Sequence, residues 1–160
     1  LEELGRQLGM SKNTVERYLD MLSKVFVVYR IGGFNKNLRK EIVKNNRWYF
    51  YDNGVRNALI QNFNKLNLRA DVGELWENYL AAERIKFQNY THLHCTNYFW
   101  RTYDQQELDW VETEGETIRS YEFKYNLSKP PKPPRGWANA YPEASFEVIH
   151  SGNYLEWIGG

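Results

Sequence analysis

The sequence predicts an α+β (or α/β) chain in two parts: a winged helix-turn-helix over residues 1–60, then a mixed sheet with flanking helices over residues 70–160. Three observations predict it. The first 22 residues repeat apolar side chains at helical spacing, and short aromatic and β-branched runs follow. Residues 71–87 carry a long apolar stripe of helical period. Residues 107–112 and 120–125 read as two strands of one hairpin around Gly115.

The elements follow in order. Leu1, Leu4 and Leu8 share a helical face, Gly9 and Met10 turn the chain, and Ser11 is a good N-cap. Val15, Tyr18, Leu19 and Leu22 give the next helix its apolar stripe. The run 25–31 reads as a buried strand, Gly32-Gly33 as a turn, and 47–51 as the returning strand. Helix, helix, strand, loop, strand is the order of a winged helix, whose second helix presents its first residues to a DNA groove. Those residues are Ser11, Lys12, Asn13, Thr14 and Arg17, and the wing is the basic loop carrying Lys36, Arg39 and Lys40. Glu16 and Asp20 on the same helix weaken its basic face, and a winged helix can also serve as a packing module only. Residues 55–60 form a short helix and 61–70 a polar connector. In the stripe of 71–87, Val72, Leu75, Trp76, Tyr79, Leu80 and Phe87 share a face, Glu77 lies at its flank, and Glu83 falls inside it without explanation. Residues 98–103 read as a strand, 128–136 as a Pro- and Lys-rich loop, and 137–141 as one or two helical turns. Residues 145–150 and 154–158 read as two more strands.

Composition narrows the function. Among 160 residues, a net charge of +1 leaves nucleic-acid affinity to local patches. A single cysteine, Cys95, excludes an intrachain disulfide and fits a reducing cytoplasm. No apolar run is long enough to span a membrane, and no signal peptide precedes the first helix. The chain begins without methionine and already in helical pattern, as a piece of a longer protein would. His92, His94 and Cys95 are close in sequence but lack a distant fourth ligand, so strand residues explain them better than zinc.

The hairpin carries the chemistry. Tyr121, Phe123 and Tyr125 alternate with Glu122 and Lys124, which therefore share the other face, roughly 7 Å apart. An antiparallel partner can bring Asp109 beside them. Two carboxylates can hold Mg²⁺ through oxygen. The ion polarises a phosphate and acidifies a bound water, and a neighbouring lysine orients that water or balances developing charge. The same three residue types also occur on ordinary solvated strand faces.

Asp109 followed by Glu122-Phe-Lys124 resembles the PD-(D/E)XK nuclease superfamily, with Leu108 where its name has Pro. Gly73-x-x-x-Glu77 resembles the opening helix of that superfamily, which implies that Glu77 completes the site. The full series is the winged helix, then 48–54, 73–78, 98–101, 107–110 and 121–124. It resembles the uncharacterised C-terminal domain that follows the ATPase module in many prokaryotic AAA-type ATPases. That resemblance implies a winged helix, a restriction-endonuclease-like domain, and an N-terminal ATPase domain of the same polypeptide absent from this chain. The chain has no phosphate-binding Gly-x-x-x-x-Gly-Lys, so ATP would bind only in that absent domain.

Two functions stay open at this stage. One is Mg²⁺-dependent DNA cleavage, with Asp109, Glu122 and the Phe123 carbonyl on the metal, Lys124 at the phosphate and Glu77 in support. The other is a non-catalytic module that binds DNA or protein and regulates the attached ATPase.

Overall fold

The computed structural model describes residues 1–36 and 46–159. Helix α1 (Glu2–Leu8) ends at Gly9, whose φ of 64° is the left-handed conformation glycine adopts without cost. Helix α2 (Lys12–Lys24) starts as expected, with Ser11 Oγ accepting the Thr14 N–H at 3.1 Å. Its end was not anticipated. Phe26 adopts φ 58°, and the Phe26 and Val27 N–H groups return to the carbonyls of Ser23 and Leu22. This helix-closing turn displaces the following strand, so β1 begins at Val28 and not at residue 25. A left-handed phenylalanine costs about 1–2 kcal/mol, and the Phe26 ring is largely exposed.

Strand β1 (Val28–Gly33) pairs antiparallel with β2 (Asn46–Phe50), then parallel with β3 (Thr96–Arg101). β3, β4 (Glu107–Glu114) and β5 (Thr117–Lys124) form an antiparallel meander, and β6 (Ser145–His150) joins β5 in parallel. The result is one six-stranded mixed sheet in the order β2-β1-β3-β4-β5-β6. Strands β1 and β2 come from the residues 1–60 expected to form a winged helix. The first two strands extend the sheet that holds the hairpin 107–124. The physical reason is the exposed edge of β1: its Gly32 and Gly33 pair beside Tyr98 and Phe99 where a closed wing would leave backbone groups unpaired.

Helix α3 (Asn53–Leu59) is capped by Asp52, whose Oδ1 accepts the N–H groups of Gly54 and Val55. Helix α4 (Val72–Tyr90) lies on one face of the sheet. There Trp76, Leu80 and Ala81 pack against Tyr29, Tyr49, Trp110, Tyr121 and Phe123. Helix α5 (Arg135–Ala140) covers the other face, where Trp137 and Tyr141 pack on Phe34, Trp100, Leu108, Val111 and Ile118. Residues 154–158 form the helix α6 (Tyr154–Gly159) and not the expected strand. Tyr154, Trp157 and Ile158 stand at i, i+3 and i+4, a helical spacing, and Trp157 packs edge-on to Tyr121 and Phe123. Glu83, unexplained by the stripe, pairs with Lys86 at 2.6 Å.

Two buried polar groups lock α4 to the sheet. Asn78 sits beside the edge strand, where its Oδ1 accepts the Phe50 N–H at 2.7 Å and its Nδ2 donates to the Phe50 carbonyl at 3.0 Å. Arg84 forms a two-pronged pair with Glu112, Nε to Oε1 at 2.6 Å and Nη2 to Oε2 at 2.8 Å. Glu112 Oε1 also accepts from Trp110 Nε1 and Gln88 Nε2, and Arg84 Nη1 donates to the Trp157 carbonyl of α6. No helix among the described residues is long and apolar enough to cross a membrane.

Candidate functional site

The site lies where β4 and β5 part. Their pairing runs from Glu114 opposite Thr117 to Trp110 opposite Tyr121. On its other side, β4 holds one residue more than β3 between Leu108 and Val111. Such a bulge re-aims side chains. Asp109 turns into the opening, and its Oδ2 accepts the Phe123 N–H at 2.8 Å.

Three further carboxylates gather around Asp109. Glu77 reaches in from α4, held by the Tyr49 hydroxyl at 2.7 Å, and Glu107 comes from the start of β4. Glu122 stands on the sheet face opposite Tyr121 and Phe123, paired with Lys124 at 2.7 Å. Burial raises the pKa of Glu77 first and the charge of Asp109 second, against the lowering pull of Arg47. Glu122 is raised by the same two causes in the same order. The Asp109 charge thus acts on both Glu77 and Glu122, while Glu77 comes from the α4 side and Glu122 and Lys124 stand on the other sheet face.

What fills the cluster is a residue the sequence reading passed over. Arg47, on β2, places Nη1 3.0 Å from Glu77 Oε1 and 3.3 Å from Asp109 Oδ1, and Nη2 3.1 Å from Glu107 Oε2. Its guanidinium also lies over the Phe99 ring, 4.9 Å from the centroid. Arg47 and Asp109 are only 22% and 13% exposed, so this is not a solvated surface pair. Burial works against the Arg47 charge, but Tyr49, Glu77 and Asp109 outweigh it and raise its pKa. One signal could have found it. Arg47 is the only charged residue of the aromatic strand 47–51, two positions before the core residue Tyr49, so alternation sends it to the α4 face.

A divalent ion does not fit this arrangement. Asp109 spends one oxygen on Arg47 and the other on a backbone N–H, Glu77 Oε1 takes both Arg47 and Tyr49, and Glu122 Oε1 is held by Lys124. Among the described residues, no group of three or more His, Cys, Asp or Glu is placed to hold a metal. His92, His94 and Cys95 line a different cavity of about 290 Å³, where burial pushes the Cys95 thiol up to about 11.

The raised glutamates have a pH consequence. A carboxyl whose folded pKa lies above its unfolded value of 4.5 stabilises the fold fully below that value. The contribution is lost as pH rises through the folded pKa. Glu77→Gln should therefore flatten the stability–pH curve from about pH 4.5 upward, measured by urea unfolding across pH. An unchanged slope would contradict the burial of this charge.

The expected DNA contacts among the described residues are mostly exposed, and two of them pair with surface carboxylates. Ser11 caps α2 and its Oγ lies 2.8 Å from Thr14 Oγ1. Lys12 pairs with Glu2 at 3.0 Å. Asn13 and Arg17 are exposed. Lys36 approaches Glu143 at 4.0 Å, while Arg39 and Lys40 lie outside the described residues. Beside the exposed Glu16, Arg17, Asp20 and Lys24, α2 also carries an exposed apolar stripe of Tyr18, Met21 and Leu22, continued by Val25 and Phe26.

Residues 1–66 match one family model, Domain of unknown function (DUF8612), and residues 72–158 match a second, Domain of unknown function (DUF4143). Over 158 residues the chain is 27% identical to an uncharacterized protein of Mycobacterium bovis and equally to one of Mycobacterium tuberculosis. These alignments cover 95% of this chain and 34% of each relative, so the chain spans about a third of their length. No solved structure matches. The boundary between the two family models falls in the connector before α4, although the sheet is continuous across it. With the second model covering more than half of its residues, including Glu77, Asp109, Glu122 and Lys124, the chain belongs to the family described as Domain of unknown function (DUF4143).

Proposed function

We propose that this chain is a non-catalytic interaction module of a longer polypeptide, regulating an ATPase domain of that polypeptide through a protein contact. The observation that carries it is Arg47. A guanidinium seated among Glu77, Glu107 and Asp109 takes the place that a catalytic cation would need. The nuclease-like trio then serves as a structural ion-pair network. The exposed apolar face of α2 supports protein as the partner class, since contiguous exposed apolar surface marks interaction sites. A second reading, DNA contact through α2, is supported by the exposed Asn13 and Arg17 at its start.

Incubation of plasmid and oligonucleotides with Mg²⁺ or Mn²⁺ tests the proposal. Wild type and Lys124→Ala should both leave DNA intact. Cleavage by wild type that Lys124→Ala abolishes overturns it. In the longer polypeptide, Met21→Glu should change the ATPase rate, whereas Arg17→Ala should leave it unchanged. On the DNA reading, Arg17→Ala should instead flatten the log–log salt dependence of binding by about 0.9 per lost phosphate contact.

A further inference from the structure

The two outer strands of the sheet, β2 and β6, each carry an asparagine side chain on the outer edge. At β2, Asn78 takes both the N–H and the carbonyl of Phe50. At β6, Asn153 does the same from the turn before α6. Its Oδ1 accepts the His150 N–H at 2.8 Å, and its Nδ2 donates to the Val148 carbonyl at 3.0 Å. Among the described residues β6 pairs with β5 alone. The Val148 carbonyl and the His150 N–H therefore point away from β5. So do the Val148 N–H and both backbone groups of Phe146, because the direction of these groups alternates along a strand. A side-chain amide holds an acceptor and a donor side by side, as a neighbouring strand does. Asn153 stands where such a strand would lie.

We infer that the outer edge of β6 is a pairing surface for β6 of a second copy of this chain, and that Asn153 holds it closed. The strand is complementary to itself, as a two-fold contact requires. Antiparallel pairing centred on Val148 sets Val148 opposite Val148 and Phe146 opposite His150 across the axis. Glu147 then stands opposite Ile149, so no like charges face each other. In this register the residues 146, 148 and 150 all meet as hydrogen-bonded pairs. The central pair needs the Val148 carbonyl and the flanking pairs need the His150 N–H, and Asn153 occupies both. Open edge groups are a template for another chain, which is why edges are blunted. This inference is independent of the protein-contact reading, because β6 lies at the other end of the sheet from β1, the strand that follows α2.

Sedimentation velocity of the full chain over a concentration series tests it. Asn153→Ala should form dimers with an affinity roughly ten times that of wild type or higher. Amide hydrogen exchange should find the Phe146 and Val148 N–H groups open in wild type and protected in the associated variant. Adding Val148→Lys sets two lysines opposite each other on the axis, so the double variant should return to the wild-type state at low salt. Equal association of wild type and Asn153→Ala, association that Val148→Lys leaves unchanged, or open Phe146 and Val148 amides in the associated variant would overturn the inference.

Discussion

Glu112→Ala should cost roughly 3–5 kcal/mol of unfolding free energy, the largest loss expected from any single substitution outside the aromatic core. Glu112 is fully buried and accepts from Arg84, Trp110 and Gln88 at once. Its removal strands the Arg84 guanidinium inside the protein, between the rings of Trp157, Phe87 and Tyr121. Burial already opposes that charge, and the hydrogen bond and charge of Glu112 are what keep the Arg84 pKa raised. An uncompensated charge there costs far more than the pair itself contributes, because the pair's attraction largely offsets its own desolvation. The double variant Arg84→Met, Glu112→Leu should therefore recover most of the loss. Since a domain of this size has only about 5–15 kcal/mol in total, the single variant should populate the unfolded state measurably. Urea unfolding of the two variants checks this, and a loss below about 1 kcal/mol for Glu112→Ala would contradict the buried charge pair.

Much of this fold was legible because it is written in local periods. Alternation in 120–125 places Tyr121 and Phe123 in the core beneath α4 and Glu122 and Lys124 opposite. The stripe Val72 to Phe87 gives α4 and puts Glu77 at its flank. Partner choice was not legible. Nothing in residues 28–33 says that they will lie beside 96–101, since both runs are simply pleated and apolar, and the contact spans the whole of α3 and α4. The same blindness hid Arg47. Its strand was recognised, but only the continuous sheet brings β2 to the α4 face where Glu77 and Asp109 wait. Glu112 reads in the sequence only as the last residue of the strand 107–112. Its buried role depends on Arg84 and Gln88, one helical turn apart on α4 and invisible as its partners until the helix lies on the sheet. Tyr154 to Ile158 was short enough to satisfy either period, and the packing of Trp157 on Phe123 decides for the helix.

Arg47→Gln should have the second large effect and reverses the character of the site. Without the guanidinium, Glu77, Glu107 and Asp109 face one another with no cation among them. Partial exposure of the group moderates the loss to about 2 kcal/mol at neutral pH. Repulsion from its neighbours should raise the Glu77 pKa further, so the variant should regain stability as pH falls. It should also gain affinity for a hard divalent ion, because freed carboxylate oxygens are the ligands Mg²⁺ and Mn²⁺ take. Free ion at about ten times its Kd would add roughly 1.4 kcal/mol to the variant through binding to the folded state alone. The direct measurement is thermal unfolding of wild type and Arg47→Gln with and without Mg²⁺ or Mn²⁺, at constant ionic strength. The melting temperature of Arg47→Gln should rise with the ion while that of the wild type stays fixed. A wild type stabilised by the ion as strongly as the variant would show that Arg47 does not hold the cation's place.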